Sequence, residues 1–203
     1  MTLGIVNYGR GNLHSVANAC KDLGAEAELV STAAEIEACT HLIFPGQGSF
    51  GECVRNLDEL GLRQPLLDFI AADRPFFGIC VGFQLLFESS EESPEASGLG
   101  VFPGKVTRFR SETEKIPHMG WNETTLRQPE STAWQGLGEK PFFYYVHSFC
   151  PKDTNHPAVA ATCHYAGEDF CAAVTKGNLV AAQFHPEKSQ HAGLQLLQNF
   201  LAT

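Results

Sequence analysis

Short apolar runs alternate with amphipathic stretches through the first half of the chain. Leu3–Asn7, Glu26–Val30, His41–Phe44 and Pro75–Ile79 have the length and composition of strands, the last apolar enough to be buried on both faces. Between them, Asn12–Leu23, Phe50–Leu60 and Leu62–Ala72 carry apolar residues at helical spacing, and Val81–Phe87 starts another helix. This alternation predicts an α/β fold, a mostly parallel central sheet with helices on both faces. The second half is richer in strands, predicted at Lys105–Phe109, Phe142–Val146, Val159–His164, Phe170–Thr175 and Leu179–Phe184. The last segment, Ser189–Leu201, puts Leu196, Leu197, Phe200 and Leu201 on one helical face, with Ser189 as its N-cap. The acidic, Ser-rich stretch Glu88–Gly100 reads as a loop. No repeat, low-complexity tract or domain boundary interrupts the pattern, so residues 1–203 are expected to form a single domain.

Composition narrows the function classes. With 43% hydrophobic and 18% charged residues the chain is expected to fold compactly rather than stay disordered. A net charge of −9 and the lack of any Lys/Arg cluster argue against nucleic acid or an anionic membrane as the main partner. No apolar run approaches the ~20 residues that span a bilayer. The N-terminus lacks the basic lead of a signal peptide and reads as a first strand, so a cytoplasmic protein is expected. Seven cysteines, an odd number without a C-x-x-C pair, fit buried reduced thiols better than disulfides or a zinc site.

One of those cysteines stands apart. Gly78-Ile79-Cys80-Val81-Gly82 joins a predicted strand to a predicted helix, the G-x-nucleophile-x-G elbow with Cys in place of Ser. A tight turn and close backbone need the glycines. The start of the helix would favour a thiolate, and the N–H of Val81 would point where an oxyanion forms. Alone, the pentapeptide fits a buried cysteine between packing glycines equally well.

Gln183-Phe184-His185-Pro186-Glu187 ends a predicted strand. Side chains two apart on extended backbone share a side, so His185 and Glu187 are placed to face one site. His185 would take the thiol proton and return it to a leaving group, with Glu187 fixing its tautomer. Pro45-Gly46-Gln47-Gly48-Ser49 follows the strand His41–Phe44 and would lie at the same sheet edge, offering backbone N–H donors. Other motifs fail. Gly9-Arg10-Gly11-Asn12 opens a helix as a dinucleotide fingerprint does, but His14 occupies the third glycine position, and there is no phosphate-binding P-loop. Neither Cys163-His164 nor His185/His191 has metal-ligand spacing, and no metal or cofactor is expected.

G-I-C-V-G-F-Q-L-L-F-E at Gly78–Glu88, P-G-Q-G-S-F at Pro45–Phe50 and Q-F-H-P-E-K-S-Q at Gln183–Gln190 resemble the class I glutamine amidotransferases. Within that class, P-H-M-G-W-N at Pro117–Asn122, Y-Y-V-H-S-F at Tyr144–Phe149 and Y-G-R-G-N at Tyr8–Asn12 resemble the glutaminase subunits of imidazole glycerol phosphate synthases. The resemblance implies a Cys80–His185–Glu187 triad and an oxyanion hole from the backbone of Val81 and Gln47, the latter once the Gly46–Gln47 peptide reorients. It implies that Gln84 and Glu92 hold the α-amino and α-carboxylate ends of glutamine, with Gly48, His147, Ser148 and Phe149 alongside. It implies ammonia release to a separate (β/α)-barrel cyclase in a heterodimer. Arg10 and Asn12 after the first strand, Trp121 and Lys188 are expected on the elbow side of the sheet and are placed at that interface. Two positions depart from the usual pattern. Gln47 stands where valine is usual, which leaves a backbone donor intact; Phe149 stands where tyrosine is frequent, which removes a hydroxyl.

Three other readings compete. Glutaminase subunits of anthranilate or aminodeoxychorismate synthase usually carry histidine where this chain has Phe83, and lack P-H-M-G-W-N. A free-standing cysteine hydrolase is disfavoured by Gln84 and the His185-x-Glu187 spacing, and a non-catalytic binding module by the complete set of reactive residues.

Overall fold

The structure, a computed structural model, describes residues 1–203. Its first half alternates β1 (Leu3–Val6), α1 (Leu13–Asp22), β2 (Ala27–Val30), α2 (Ala33–Ala38), β3 (His41–Gly46), α3 (Phe50–Glu59), α4 (Arg63–Ala71), β4 (Phe76–Cys80) and α5 (Val81–Gln84). Next come β5 (Phe87–Ser90), β6 (Phe102–Arg108), β7 (His118–Leu126), β8 (Phe142–His147), β9 (Phe149–Pro151), β10 (Val159–Tyr165), β11 (Glu168–Lys176), β12 (Leu179–Ala182) and α6 (Gln190–Leu201). Nine strands form one sheet in the order β2-β1-β3-β4-β12-β11-β10-β7-β8. Pairings from β2 to β12 are parallel, and those from β12 to β8 antiparallel. A second sheet, β5-β6-β9, has three strands.

Period-two alternation explains how helices cover both faces of the parallel half. Adjacent residues of β4 point opposite ways: the Phe76 ring meets Phe69 of α4, and the Phe77 ring meets Phe200 of α6. All five β4 residues are buried, as a central parallel strand requires. One contiguous core of 57 buried residues runs through the structure. All seven cysteines are buried and unpaired. No helix is long and apolar enough to cross a membrane.

Several expectations change. The helix expected over Val81–Phe87 is a single turn, Val81–Gln84. Leu85 O and Leu86 O instead accept from Leu99 N and Phe102 N, which draws the chain into the small sheet. Residues 88–90 of the expected loop are the end of β5. Ser189 precedes α6, but its hydroxyl does not cap it. Ser189 Oγ donates to His185 O (2.6 Å) and accepts from Tyr144 N (2.9 Å).

Candidate active site

The register of three neighbouring parallel strands assembles the site. Gly46 at the end of β3 lies opposite Cys80 at the end of β4, and Ala182 at the end of β12 lies opposite Ile79. The Pro45–Ser49 loop, the elbow and the His185–Glu187 segment therefore emerge at one sheet edge. They open onto a cavity of about 280 Å³, close to the ~300 Å³ lower bound of typical small-molecule pockets. Gln47, Gly48, Cys80, Val81, Gln84, Glu92, His147, Ser148, Phe149, His185 and Glu187 all line it, with Asn12 and Lys188 at its margin.

Cys80 sits at φ 56°, ψ −110°, a conformation that side chains avoid. The glycines around it allow the turn. A Cβ on Gly82 would lie 1.9 Å from Phe44 O, and one on Gly46 would lie 2.5 Å from Gly82 N, so β3 and the elbow touch backbone to backbone. Val81, first in its helix, has an N–H without an intrahelical acceptor. With only one turn behind it, α5 contributes far less dipole than a long helix would. The charged partner on which Cys80 depends is the histidine.

His185 Nδ1 and Glu187 Oε1 are 2.8 Å apart, and both side chains are almost wholly shielded from solvent. His185 Nε2 is buried, makes no hydrogen bond of ordinary geometry, and lies near enough to Cys80 for a thiolate to act on it. Burial by itself would lower the proton affinity of His185. The negative charge and acceptor of Cys80, and then Glu187, outweigh it and push the imidazole up to about 10. The imidazole thus sits between the Cys80 sulfur on one side and the Glu187 carboxylate, 2.8 Å away, on the other.

The Pro45–Ser49 loop is held from below. Tyr8 Oη donates to Pro45 O (3.0 Å) and Cys53 Sγ contacts Gln47 O (3.7 Å), while the Gln47 N–H has no protein acceptor. Burial holds the Tyr8 hydroxyl well above its ordinary range, so it stays a donor. Arg10 lies over Gly48 and pairs with Glu52 at 3.5 Å, on the rim rather than in the cavity.

Gln84 Nε2 donates to Phe149 O (2.9 Å) and to Gln183 Oε1 (3.0 Å). With both amide hydrogens committed, its oxygen is the end left for a ligand. Glu92 Oε2 accepts from Phe50 N (2.7 Å) and Ser93 Oγ from Gly51 N (3.1 Å), so the acidic loop caps α3 beside Ser49. Two contributors escaped the motif reading. Gln183, fully buried, bridges Gln84 to Cys80 Sγ (3.9 Å), and Ser189 ties the His185 backbone to β8. The polar residue ahead of His185 inside an otherwise apolar strand was the signal for Gln183.

Trp121 stands apart from the cavity on the outer face of β7, beside Met119; the two are 46% and 64% exposed. Trp121 pairs with Tyr144 across β7–β8, ring to ring at 6.2 Å, and Lys188 Nζ lies 6.0 Å above the Tyr144 ring. Trp121, Tyr144 and Lys188 thus form one surface strip that runs to the cavity mouth.

Comparison with known proteins identifies the family. Residues 4–203 match the family of class-I glutamine amidotransferases. The chain is 45% identical over 202 residues to "Imidazole glycerol phosphate synthase subunit HisH" of Trichodesmium erythraeum, covering 99% of this chain and 94% of that one. It is 47% identical over 197 residues to the protein of the same name from Rhodopirellula baltica, covering 97% and 95%. Among solved structures, a glutamine amidotransferase superposes with a TM-score of 0.76 at 21% identity over 100% of this chain and 98% of that one. PurLQS from Thermotoga maritima does so at 0.76 and 19%, over 99% and 97%. At those identities the structures speak for the fold alone.

Proposed function

Because the chain belongs to the class-I glutamine amidotransferases, we infer that it is the glutaminase subunit of an imidazole glycerol phosphate synthase in histidine biosynthesis. The observation that carries the mechanism is a strained Cys80 sharing one buried cavity with the His185–Glu187 pair.

The Cys80 thiolate attacks the side-chain carbonyl carbon of glutamine. The N–H groups of Val81 and Gln47 receive the oxyanion. As the C–N bond breaks, His185 gives its proton to the departing nitrogen, which leaves as ammonia, and a glutamyl thioester remains on Cys80. Water then attacks that carbonyl and His185 takes its proton. The C–S bond breaks, glutamate leaves and the thiolate returns. Glu187 stabilises the imidazolium whenever His185 carries the proton and fixes the ring's tautomer when it does not. The Gln84 oxygen and Glu92 bind the α-amino end of glutamine, as acceptors suited to an ammonium, while backbone groups at Gly48 and His147–Phe149 meet its carboxylate.

Ammonia in water is protonated and loses its nucleophilicity, so it must reach a second site away from bulk solvent. The partner we assign is a (β/α)-barrel cyclase, docked as a heterodimer against the Trp121–Tyr144–Lys188 strip, with Asn12 and Arg10 also at this face. The cyclase uses ammonia to make imidazole glycerol phosphate and aminoimidazole carboxamide ribonucleotide. On this reading residues 1–203 are one glutaminase domain acting in the cytoplasm.

Glutamate release tests the assignment. It is measured for the chain alone, with cyclase, and with cyclase plus its ribonucleotide substrate. We expect near-silence alone and an increase of roughly 10²–10³ with both additions, the scale of one well-aimed oxyanion donor. Full activity of the chain alone, unchanged by either addition, would contradict a coupled synthase.

A further inference from the structure

Behind the cavity, a line of polar groups runs from the half-buried Asn122 on β7, through two buried histidines, to the elbow. Asn122 Nδ2 lies 3.2 Å from His118 Nε2, and His118 Nδ1 lies 3.1 Å from His147 Nε2. His147 Nδ1 lies 2.9 Å from Phe149 O, the same carbonyl that accepts from Gln84 at 2.9 Å. Only one arrangement of protons satisfies all four contacts. A carbonyl cannot donate, so His147 Nδ1 carries hydrogen and its Nε2 accepts. His118 Nδ1 must then donate, which leaves His118 Nε2 to accept from the Asn122 amide. Both imidazoles are neutral, each with its proton on Nδ1, and the donors all point toward Phe149.

The line is rigid as well as directional. The His118 ring is stacked between Tyr145 (4.7 Å, 19°) and Tyr165 (3.9 Å, 19°). His118 and His147 are 3% and 6% exposed. Burial also keeps both imidazoles from charging, with His118 held down to about 4 and His147 to about 3. The proposed mechanism assigns neither imidazole ring a task.

We propose that His118 and His147 are positioning residues for glutamine: their donor relay holds the Phe149 carbonyl where it captures the Gln84 amide, keeping the Gln84 oxygen turned to the substrate. This rests on the glutaminase reading. The relay touches no reacting atom, so its loss weakens the binding of glutamine and leaves the chemical step largely intact.

The test is a double-variant cycle measured on the complex with cyclase, using His118→Phe, Gln84→Ala and both together. Phe keeps the stack between the two tyrosines and removes both hydrogen bonds. Wild-type glutamine turnover is the control; its absence would defeat the glutaminase reading itself, whatever the relay does. With that turnover in hand, His118→Phe should raise KM for glutamine roughly tenfold and change kcat by less than about threefold. In the Gln84→Ala background the same substitution should add almost nothing, because the relay acts through Gln84. His118→Asn, whose amide N–H replaces the Nδ1 donor, should restore most of the affinity. Effects that multiply in the double variant, or an unchanged KM in His118→Phe, would overturn the proposal. Should His118→Phe not fold, imidazole nitrogen NMR of the wild-type complex decides: Nδ1–H tautomers at both histidines support the relay, and an Nε2–H at either refutes it.

Discussion

A side chain held at φ 56°, ψ −110° costs on the order of 1–3 kcal/mol, so the surroundings must over-determine Cys80. They do so through Gly78, Gly82 and Gly46, whose missing side chains let two strands and the elbow close on one another. Within that frame the reactive proton is governed by two residues, His185 and Glu187. Replacing Glu187 with Gln keeps the shape but offers a neutral partner, which stabilises the imidazolium less and admits the wrong tautomer. Glutamine turnover should drop by roughly 10²–10⁴ in kcat, less than for loss of Cys80, with KM little changed. Equal rates for variant and wild type across roughly pH 6–9, where a histidine base matters, would remove Glu187 from the mechanism. His185 and Glu187 were legible as a pair, but not by the geometry expected of them. Pro186–Lys188 form a turn of 3₁₀ helix rather than extended backbone, and that turn, not strand alternation, brings Glu187 against the His185 ring. The parts played by Gln183 and Ser189 were not legible, since their partners, Gln84, Cys80 and Tyr144, are brought to them only by the fold.

At the scale of elements, β7 and β8 carry the histidine relay, and its effect on stability has a definite sign. Unfolded, both imidazoles titrate near pH 6.5. Folded, burial lowers His118 to about 4 and His147 to about 3, so between about pH 6.5 and those values the unfolded chain binds more protons. Stability from this pair is therefore fully present above pH ~6.5 and declines as pH falls toward 4. His118→Phe removes one of the two protons, so melting temperature should fall less steeply over that acid range than in the wild type. Parallel slopes for the two proteins would show that His118 is not held neutral by the fold.

Sequence pattern missed β7 for a related reason. Its inward positions include His118, Asn122 and Thr124 while Met119 and Trp121 face outward, so hydropathy alternates with the wrong sign. The six-residue α2 was also missed, although Thr32-Ala33-Ala34-Glu35 spells the capping box that the structure forms. The overlong α5 came from an apolar run, Leu85–Phe87, whose burial is in the small sheet rather than on a helix face.

At the scale of the molecule, strand order explains why three loops far apart in sequence share one cavity. β3, β4 and β12 are parallel neighbours, so their C-terminal ends coincide. The alternation in the first half made that edge legible from the sequence, whereas the antiparallel continuation through β11, β10, β7 and β8 was visible only as extra strands. β8 is apolar on both faces. Phe143 and Tyr145 are buried in the core, while Phe142, Tyr144 and Val146 join Met119 and Trp121 on the outer side. An outward apolar ribbon ending at a catalytic cavity is the surface expected to meet a partner. The central claim, that Cys80 supplies ammonia to chemistry performed by another subunit, is tested most directly by Cys80→Ala in the assembled synthase. Product formation is measured once with glutamine and once with an ammonium salt as nitrogen source. The account expects the variant to lose glutamine-dependent synthesis and to retain ammonium-dependent synthesis at the wild-type rate. Glutamine-dependent synthesis persisting in the variant at the wild-type rate would contradict it.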